Sequence, residues 1–317
     1  MAVKIREYIS SDRGKICQLF SEFTEYKRDT EFWIWINRLI GTDESIVTVA
    51  SDGDKIIGHY AIVPHNLMLN EITIKSGLGI HAFIHPNYRD KVLMYKISGL
   101  AYEIAKKRGI SIIYGFPNVN YRNIQIKIEG WKEVNLFKSI EISNENIKVK
   151  NNKFNLIKVS DNYSDLFKLD EIISKRESNN YIRINKNINY YKNRYISHPQ
   201  RLYECFFIFN EQKIMGFIVF KVFENSKGHV IDYIKSDSIS ESDIIEITLS
   251  FFKNKIKSVI FWPINKKFKK ELNLLENKKY SFETFLGIKY INNNFAKSET
   301  LLDFSNWELM MGDSDAF

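Results

Sequence analysis

The two halves of the chain open alike, and this repeat constrains the fold more than any other feature. Each begins with a helix, continues through an aromatic segment and Asn-Arg, and enters a hairpin whose second strand starts near a glycine. In the first half Phe32-Trp33-Ile34-Trp35-Ile36-Asn37-Arg38 precedes Ser45–Ala50, an Asp52-Gly53 turn and Ile56-Ile57-Gly58-His59-Tyr60. In the second, Tyr190-Tyr191-Lys192-Asn193-Arg194-Tyr195 precedes Cys205–Phe209, an Asn210-Glu211-Gln212 turn and Ile214-Met215-Gly216-Phe217. Asp-Gly turns between β-branched and aromatic runs are strong hairpin signals. The order and near-equal spacing point to an internal duplication. At 317 residues the chain is long enough for two cores of roughly 150 residues each.

After its hairpin the first half is expected to carry strands over Leu67–Ile74 and Ser76–Ile84, a helix over Lys91–Arg108, a strand over Ser111–Gly115, a short helix near Tyr121–Ile128 and a strand from Trp131 toward Glu141. The second half reads as strand Gly228–Ile234, helix Glu241–Lys255, strand Ser258–Trp262, helix Lys267–Leu275, and strands around Phe285–Tyr290 and Glu299–Met310. Periodicity thus gives an α/β (α+β) class with a mixed, largely antiparallel sheet and flanking helices in each half. Domains are expected over 1–145 and 154–317, with the polar, Asn- and Lys-rich Ser143–Lys153 as linker.

The formal charge of +8 admits a nucleic-acid partner, but the lysines are scattered rather than gathered into one block. A solvated surface, or an anionic small ligand, accounts for the excess equally well. Cys17 and Cys205 are too few for a disulfide framework and sit in apolar runs, as expected in a reducing cytoplasm. No stretch of about 18 apolar residues occurs and the N-terminus lacks an apolar leader, so a soluble, cytoplasmic protein without membrane insertion is expected. The one His-x-x-x-His spacing, His81 to His85, falls on an expected strand rather than on a helix face, no Cys-x-x-Cys is present, and no metal is expected. There is also no Gly-x-Ser-x-Gly elbow, so no serine nucleophile of that kind is expected and any group transfer would be direct.

From Ile80 to Trp131 the chain is ordered as a thioester-binding fold requires. A strand runs into His85-Pro86-Asn87-Tyr88-Arg89, an amphipathic helix follows, a second strand ends in Tyr114-Gly115-Phe116-Pro117-Asn118, and Glu129-Gly130-Trp131 closes the segment. The first strand offers backbone groups to an extended pantetheine arm, and the helix start offers N–H groups to a pyrophosphate. On His-Pro-x-Tyr-Arg and Gly-Phe-Pro-Asn the segment resembles the GNAT acyltransferase superfamily. The resemblance implies acyl-CoA as co-substrate, held by Ala82, Phe83, Ile84, Arg89, Asp90, Lys91, Val92, Leu93 and Asn118. The small residues usual in that family's phosphate turn fall on Val92 and Met94, and its frequent tyrosine acid falls on Ile126.

The duplicated layout, Asn193-Arg194-Tyr195-x-x-His198-Pro199 and the ending Trp307-Glu308-Leu309-Met310-Met311-Gly312-Asp313-Ser314-Asp315 are similar to tandem GNAT proteins of bacterial surface-polysaccharide (O-antigen) synthesis. This resemblance implies N-acyl transfer, acetyl or 3-hydroxybutyryl, from coenzyme A to the amine of a nucleotide-linked amino sugar such as a dTDP-3-amino-3,6-dideoxyhexose. His81 and Asp232 are the candidate bases. His81 shares a strand face with Phe83, so a bulge is needed to bring it toward the thioester. Asp232, in an apolar run, is either paired in the core or facing a cleft. Acyl-CoA is expected in the first domain, 1–145, and the acceptor in the second, 154–317, with His59, Tyr190, Arg194 and Trp262 as candidate acceptor residues. A tRNA-dependent aminoacyl transferase of the same tandem build, and a catalytically empty binding protein, are the competing readings.

Overall fold

A computed structural model describes residues 3–23, 29–37, 45–143, 153–175, 180–200, 202–223, 226–275, 278–292 and 299–315. Arg38 of the first aromatic segment and most of the expected linker, 144–152, lie outside these residues. The chain divides into two compact units: residues 1–68, 72–135 and 285–303 form the first, and 69–71, 136–284 and 304–317 the second.

The elements of the first unit are β1 (Lys4–Glu7), α1 (Arg13–Phe23), α2 (Thr30–Asn37), β2 (Ile46–Asp52), β3 (Lys55–Pro64), β4 (Leu67–Leu69), β5 (Ile72–Ile74), β6 (Ser76–Ile84), α3 (Lys91–Lys107), β7 (Ile112–Gly115) and α4 (Val119–Lys127). The chain then continues through β8 (Lys132–Ser143), β9 (Phe154–Lys158), α5 (Tyr163–Ser174), β10 (Ile182–Ile184), α6 (Ile188–Tyr191), β11 (Glu204–Asn210), β12 (Lys213–Phe223) and β13 (Lys227–Lys235). It ends with α7 (Glu241–Phe252), β14 (Ser258–Phe261), α8 (Lys266–Leu274), β15 (Lys278–Tyr290) and α9 (Glu299–Leu302).

In the first unit β1, β2, β3 and β6 are antiparallel neighbours, β6 and β7 are parallel, and the end of β15, Gly287–Tyr290, returns antiparallel to β7. The β2–β3 hairpin turns at Gly53 with φ +57°, as its Asp-Gly pair requires. Helix α3 is capped by Asp90, whose carboxylate accepts from the Val92 amide, and is followed by Gly109 in the left-handed region. Its residues Met94, Ile97, Ala101, Ile104 and Ala105 recur at helical spacing and are buried with Ile46, Ala50, Ile57, Ile62 and Trp131. Each large aliphatic side chain so buried contributes about 1.5–3 kcal/mol. Close docking of α3 needs Gly58, because a Cβ there would stand 2.6 Å from Ile97 Cδ1.

The second unit repeats the plan. Strands β9, β11, β12 and β13 are antiparallel neighbours, β13 and β14 are parallel, and β8 lies antiparallel to β14. Helix α7 opens with a Ser240–Asp243 capping box and buries Ile244, Ile245, Ile247, Leu249 and Phe252.

Two expected strands differ. Leu67–Ile74 is broken into β4 and β5 by Asn70 at φ +56°, a conformation that asparagine tolerates in turns. Glu299–Met310 is not a strand: it is the short α9 followed by 3-10 turns at Phe304–Asn306 and Met311–Asp313. Its apolar residues Trp307, Leu309, Met310 and Met311 are buried in the second unit, tied down by Glu308 N–H to Ile182 C=O and Leu309 N–H to Ile264 C=O. Among the described residues no helix is long and apolar enough to cross a membrane.

Candidate functional site

Strands β6 and β7 begin as a parallel pair and then part. Pairing runs from Ser76–Ile112 to Leu78–Tyr114, after which β7 stops at Gly115 while β6 continues to Ile84. A cleft of about 600 Å³ opens here, lined by Ala82, Phe83 and Ile84 of β6, Arg89, Asp90 and Met94 around the start of α3, and Asn118, Asn120, Tyr121 and Ile124 of the α4 region. Three successive β6 residues reach one cleft because the strand is irregular. His59 pairs with Phe83 and Ala61 with Ile80, leaving His81 and Ala82 opposite Tyr60, and His81 takes φ +54°. A bulge is therefore present at His81, but it leaves the His81 ring out of the cleft lining.

The turn between β6 and α3 is fixed by side chains. His85 Nδ1 accepts from the Asn87 amide at 3.2 Å, and Tyr88 Oη donates to Asp52 Oδ2 at 2.8 Å. Arg89 is exposed at the cleft and makes no ion pair among the described residues. A cation beside a helix N-terminus is suited to a phosphate. Asp90 takes the Val92 amide at 3.0 Å, leaving fewer first-turn amides for an anion.

Of the residues expected to hold the cofactor, Ala82, Phe83, Ile84, Arg89, Asp90 and Asn118 line the cleft. Lys91, Val92 and Leu93 form the first turn of α3, with Val92 turned to solvent and Leu93 packed against the core. Asn118 caps α4, its side chain accepting from the Tyr121 amide at 2.9 Å.

The expected acceptor and base residues lie elsewhere. His81 is buried on the α1 face of the sheet, its ring 5.3 Å from Phe20. His59 lies on the same face, with Nδ1 2.9 Å from the His81 carbonyl. In the second unit Asp232 accepts from Lys186 at 2.7 Å and Tyr195 at 2.6 Å, and Lys186 also meets Asp313 at 2.6 Å. Burial opposes the charge of Lys186, but Asp232 and Asp313 outweigh it and hold the ammonium protonated. Tyr190 donates to Gly312 C=O at 3.2 Å, and Arg194 to Ser314 C=O at 3.0 Å. Trp262 packs its ring 5.0 Å from Phe137. Asp232, Tyr190, Arg194 and Trp262 are each no more than 2% exposed, so in this structure they present no surface to an acceptor. Tyr190 and Arg194 instead hold the Met311–Ser314 segment by hydrogen bonds, and Asp232 is linked to it through Lys186.

Sequence reading missed a buried network next to the cleft. The Glu129 carboxylate accepts from Ser98 at 2.9 Å, Tyr102 at 2.5 Å and Tyr121 at 2.9 Å. Trp131 Nε1 donates to Tyr102 Oη at 2.9 Å, and Lys289 Nζ donates to the Glu129 carbonyl at 2.5 Å. Burial raises the Glu129 pKa despite these donors, and burial with the neighbouring Tyr60 and Glu129 raises Tyr121 well above an ordinary phenol. Ser98 and Tyr102, one turn apart on α3, were the available signal, but nothing local ties them to Glu129. No group of three or more His, Cys, Asp or Glu placed to hold a metal ion occurs among the described residues.

Residues 4–127 match the acetyltransferase (GNAT) domain family, which spans the whole of this cleft. The fold is shared with solved structures over more than nine-tenths of the chain. A GCN5-related N-acetyltransferase from Anabaena variabilis is 14% identical with a TM-score of 0.69, covering 92% of this chain and 73% of its own. A probable N-acyltransferase from Enterococcus faecalis is 9% identical with a TM-score of 0.70, covering 92% and 73%. A GCN5-related N-acetyltransferase from Kribbella flavida is 8% identical with a TM-score of 0.68, covering 91% and 71%. No curated protein sequence matches the chain.

Proposed function

We propose that the protein is an N-acyltransferase that moves an acyl group from coenzyme A to an amine, with the thioester held in the β6–β7 cleft. The observation that carries this reading is the parting of two parallel strands beside a helix start. The outer half of β6 has backbone N–H and C=O groups facing the gap, which must be satisfied by water or a ligand, and a pantetheine amide fits that pattern. Arg89 and the first turn of α3 would take the pyrophosphate, and Asn118 or Asn120 a further amide of the arm.

The amine attacks the thioester carbonyl carbon, the C–S bond breaks, and coenzyme A leaves as a thiolate that needs a proton. Tyr121 is the phenol lining the cleft, and its raised pKa keeps the proton available for that step. His81 faces Phe20 rather than the cleft, so the amine proton is assigned to solvent. We further propose a nucleotide-linked amino sugar as acceptor and acetyl or 3-hydroxybutyryl as the group transferred. Support for both comes from the ordered motifs of the sequence.

The test is calorimetric titration with acetyl-CoA and 3-hydroxybutyryl-CoA, followed by thiol release in the presence of dTDP-linked and free amino sugars. Saturable thiol release with the nucleotide-linked amine, and not with the free sugar, is expected. Absence of thioester binding would refute the reading.

A further inference from the structure

The shared plan of the two units allows residue-by-residue comparison, because strand pairing fixes the correspondence. Ser76, Gly77 and Leu78 pair with β7 as Lys227, Gly228 and His229 pair with β14. On the opposite edge Gly58 faces Ile84, and Gly216 faces Lys235. Ser76 thus corresponds to Lys227, Ile84 to Lys235, and Ala82 to Tyr233. Across the gap, Asn118 and Asn265 are matching caps of α4 and α8, accepting from the amides of Tyr121 and Phe268, which therefore correspond too.

These matched positions are filled differently. In the first unit Ala82 presents only a methyl group to the cleft, and Tyr121 is drawn toward Glu129. In the second unit Tyr233 and Phe268 stack with ring centroids 6.0 Å apart and an interplanar angle of 29°. They are 3% and 0% exposed, so the two rings occupy the space that the first unit leaves open. The helix starts differ in the same sense. At the start of α3 the only acidic group is the cap Asp90, beside Arg89, whereas the first turn of α7 carries both Glu241 and Asp243, which disfavour a pyrophosphate.

We infer that the side chain at the Ala82 position selects which unit takes an acyl-CoA: a methyl group admits the thioester arm, an aromatic ring seals the groove, and the chain takes one equivalent. This inference rests on the acyl-CoA reading of the first cleft. The Met311–Asp313 turn, packed against β13 through Gly312 and Ile231, closes the second unit further, since Lys186 joins Asp313 to Asp232.

The test is titration of the full chain with acetyl-CoA, comparing the wild type with Ala82→Val, Ala82→Leu and Tyr233→Phe, each verified as folded by circular dichroism. One equivalent is expected for the wild type. Binding should weaken stepwise through Val and by about 100-fold or more with Leu, as for a side chain built into a ligand's path. Tyr233→Phe, which keeps the ring, should bind as the wild type does. Two bound equivalents, or unchanged affinity in folded Ala82→Leu, would overturn the inference while leaving the acyl-CoA reading intact. No binding by the wild type would remove both.

Discussion

Tyr121 and Glu129 are joined by a hydrogen bond of 2.9 Å from the phenol to the carboxylate, and the same tyrosine lines the cleft. Position 126, where the resemblance places an acid, is an isoleucine, and the proposed donor is instead a phenol five residues earlier on α4. A phenol raised by burial is a weak acid, so it can donate only to a base of comparable strength, such as a thiolate generated in the same water-poor cleft. Tyr121→Phe keeps the ring and removes the proton. We expect kcat for thiol release to fall about 100-fold or more, the range of general acid–base contributions, with KM for the thioester little changed. An unaltered kcat would assign the proton to solvent.

Arg89 is exposed, at the cleft, and without an ion pair among the described residues, so its replacement should not disturb folding. Arg89→Glu reverses the charge offered to the pyrophosphate. Loss of one charge-assisted contact of about 1.5–3 kcal/mol weakens binding roughly 10- to 100-fold. The wild-type affinity should fall with added salt and the variant's much less, as titration at two ionic strengths will show. Equal affinities would place the phosphates elsewhere.

Much of the frame was legible because local chemistry agreed with the tertiary outcome. The strand Ser76–Ile84, the Asp52-Gly53 turn and the start of α3 at Lys91 all stand where alternation, turn residues and helical spacing place them. Six of the residues expected to hold a cofactor line one cleft because they sit on consecutive elements whose order defines it. Tyr190, Arg194 and Asp232 read as site residues because aromatic and charged side chains in apolar runs suggest chemistry. Their burial depends on a segment more than 70 residues away, Met311–Ser314, which no local pattern could connect to them. The Glu129 network was hidden for the same reason, being assembled from α3, α4 and the approach to β8.

Glu129 gives a pH signature. Burial raises its pKa above that of an ordinary carboxylate, so the folded chain retains a proton there that the unfolded chain has released. Its contribution to stability is full below the unfolded pKa and is lost as pH rises through the folded value. Glu129→Gln cannot release that proton. Urea midpoints measured from pH 4.5 to 7.5 should therefore decline more for the wild type than for the variant over this range. Parallel profiles would show that the carboxylate titrates as though exposed.

Lys186 tests whether the second unit depends on its buried ion cluster. Its ammonium is 2.7 Å from Asp232 and 2.6 Å from Asp313, with all three side chains almost fully buried. Lys186→Met keeps most of the length of the side chain and leaves two carboxylates facing each other without a cation. Breaking a buried pair from one side costs about 3–5 kcal/mol, because the remaining charge has lost its partner rather than because the pair itself is strong. The variant should unfold at markedly lower urea, whereas Lys186→Met with Asp232→Asn and Asp313→Asn should recover much of the loss. Thioester binding in the first unit should persist in the triple variant at a temperature where it remains folded. Failure of the triple variant to recover would mean that Lys186 contributes through packing against Tyr190, whose ring lies 5.4 Å from its Nζ, rather than through charge.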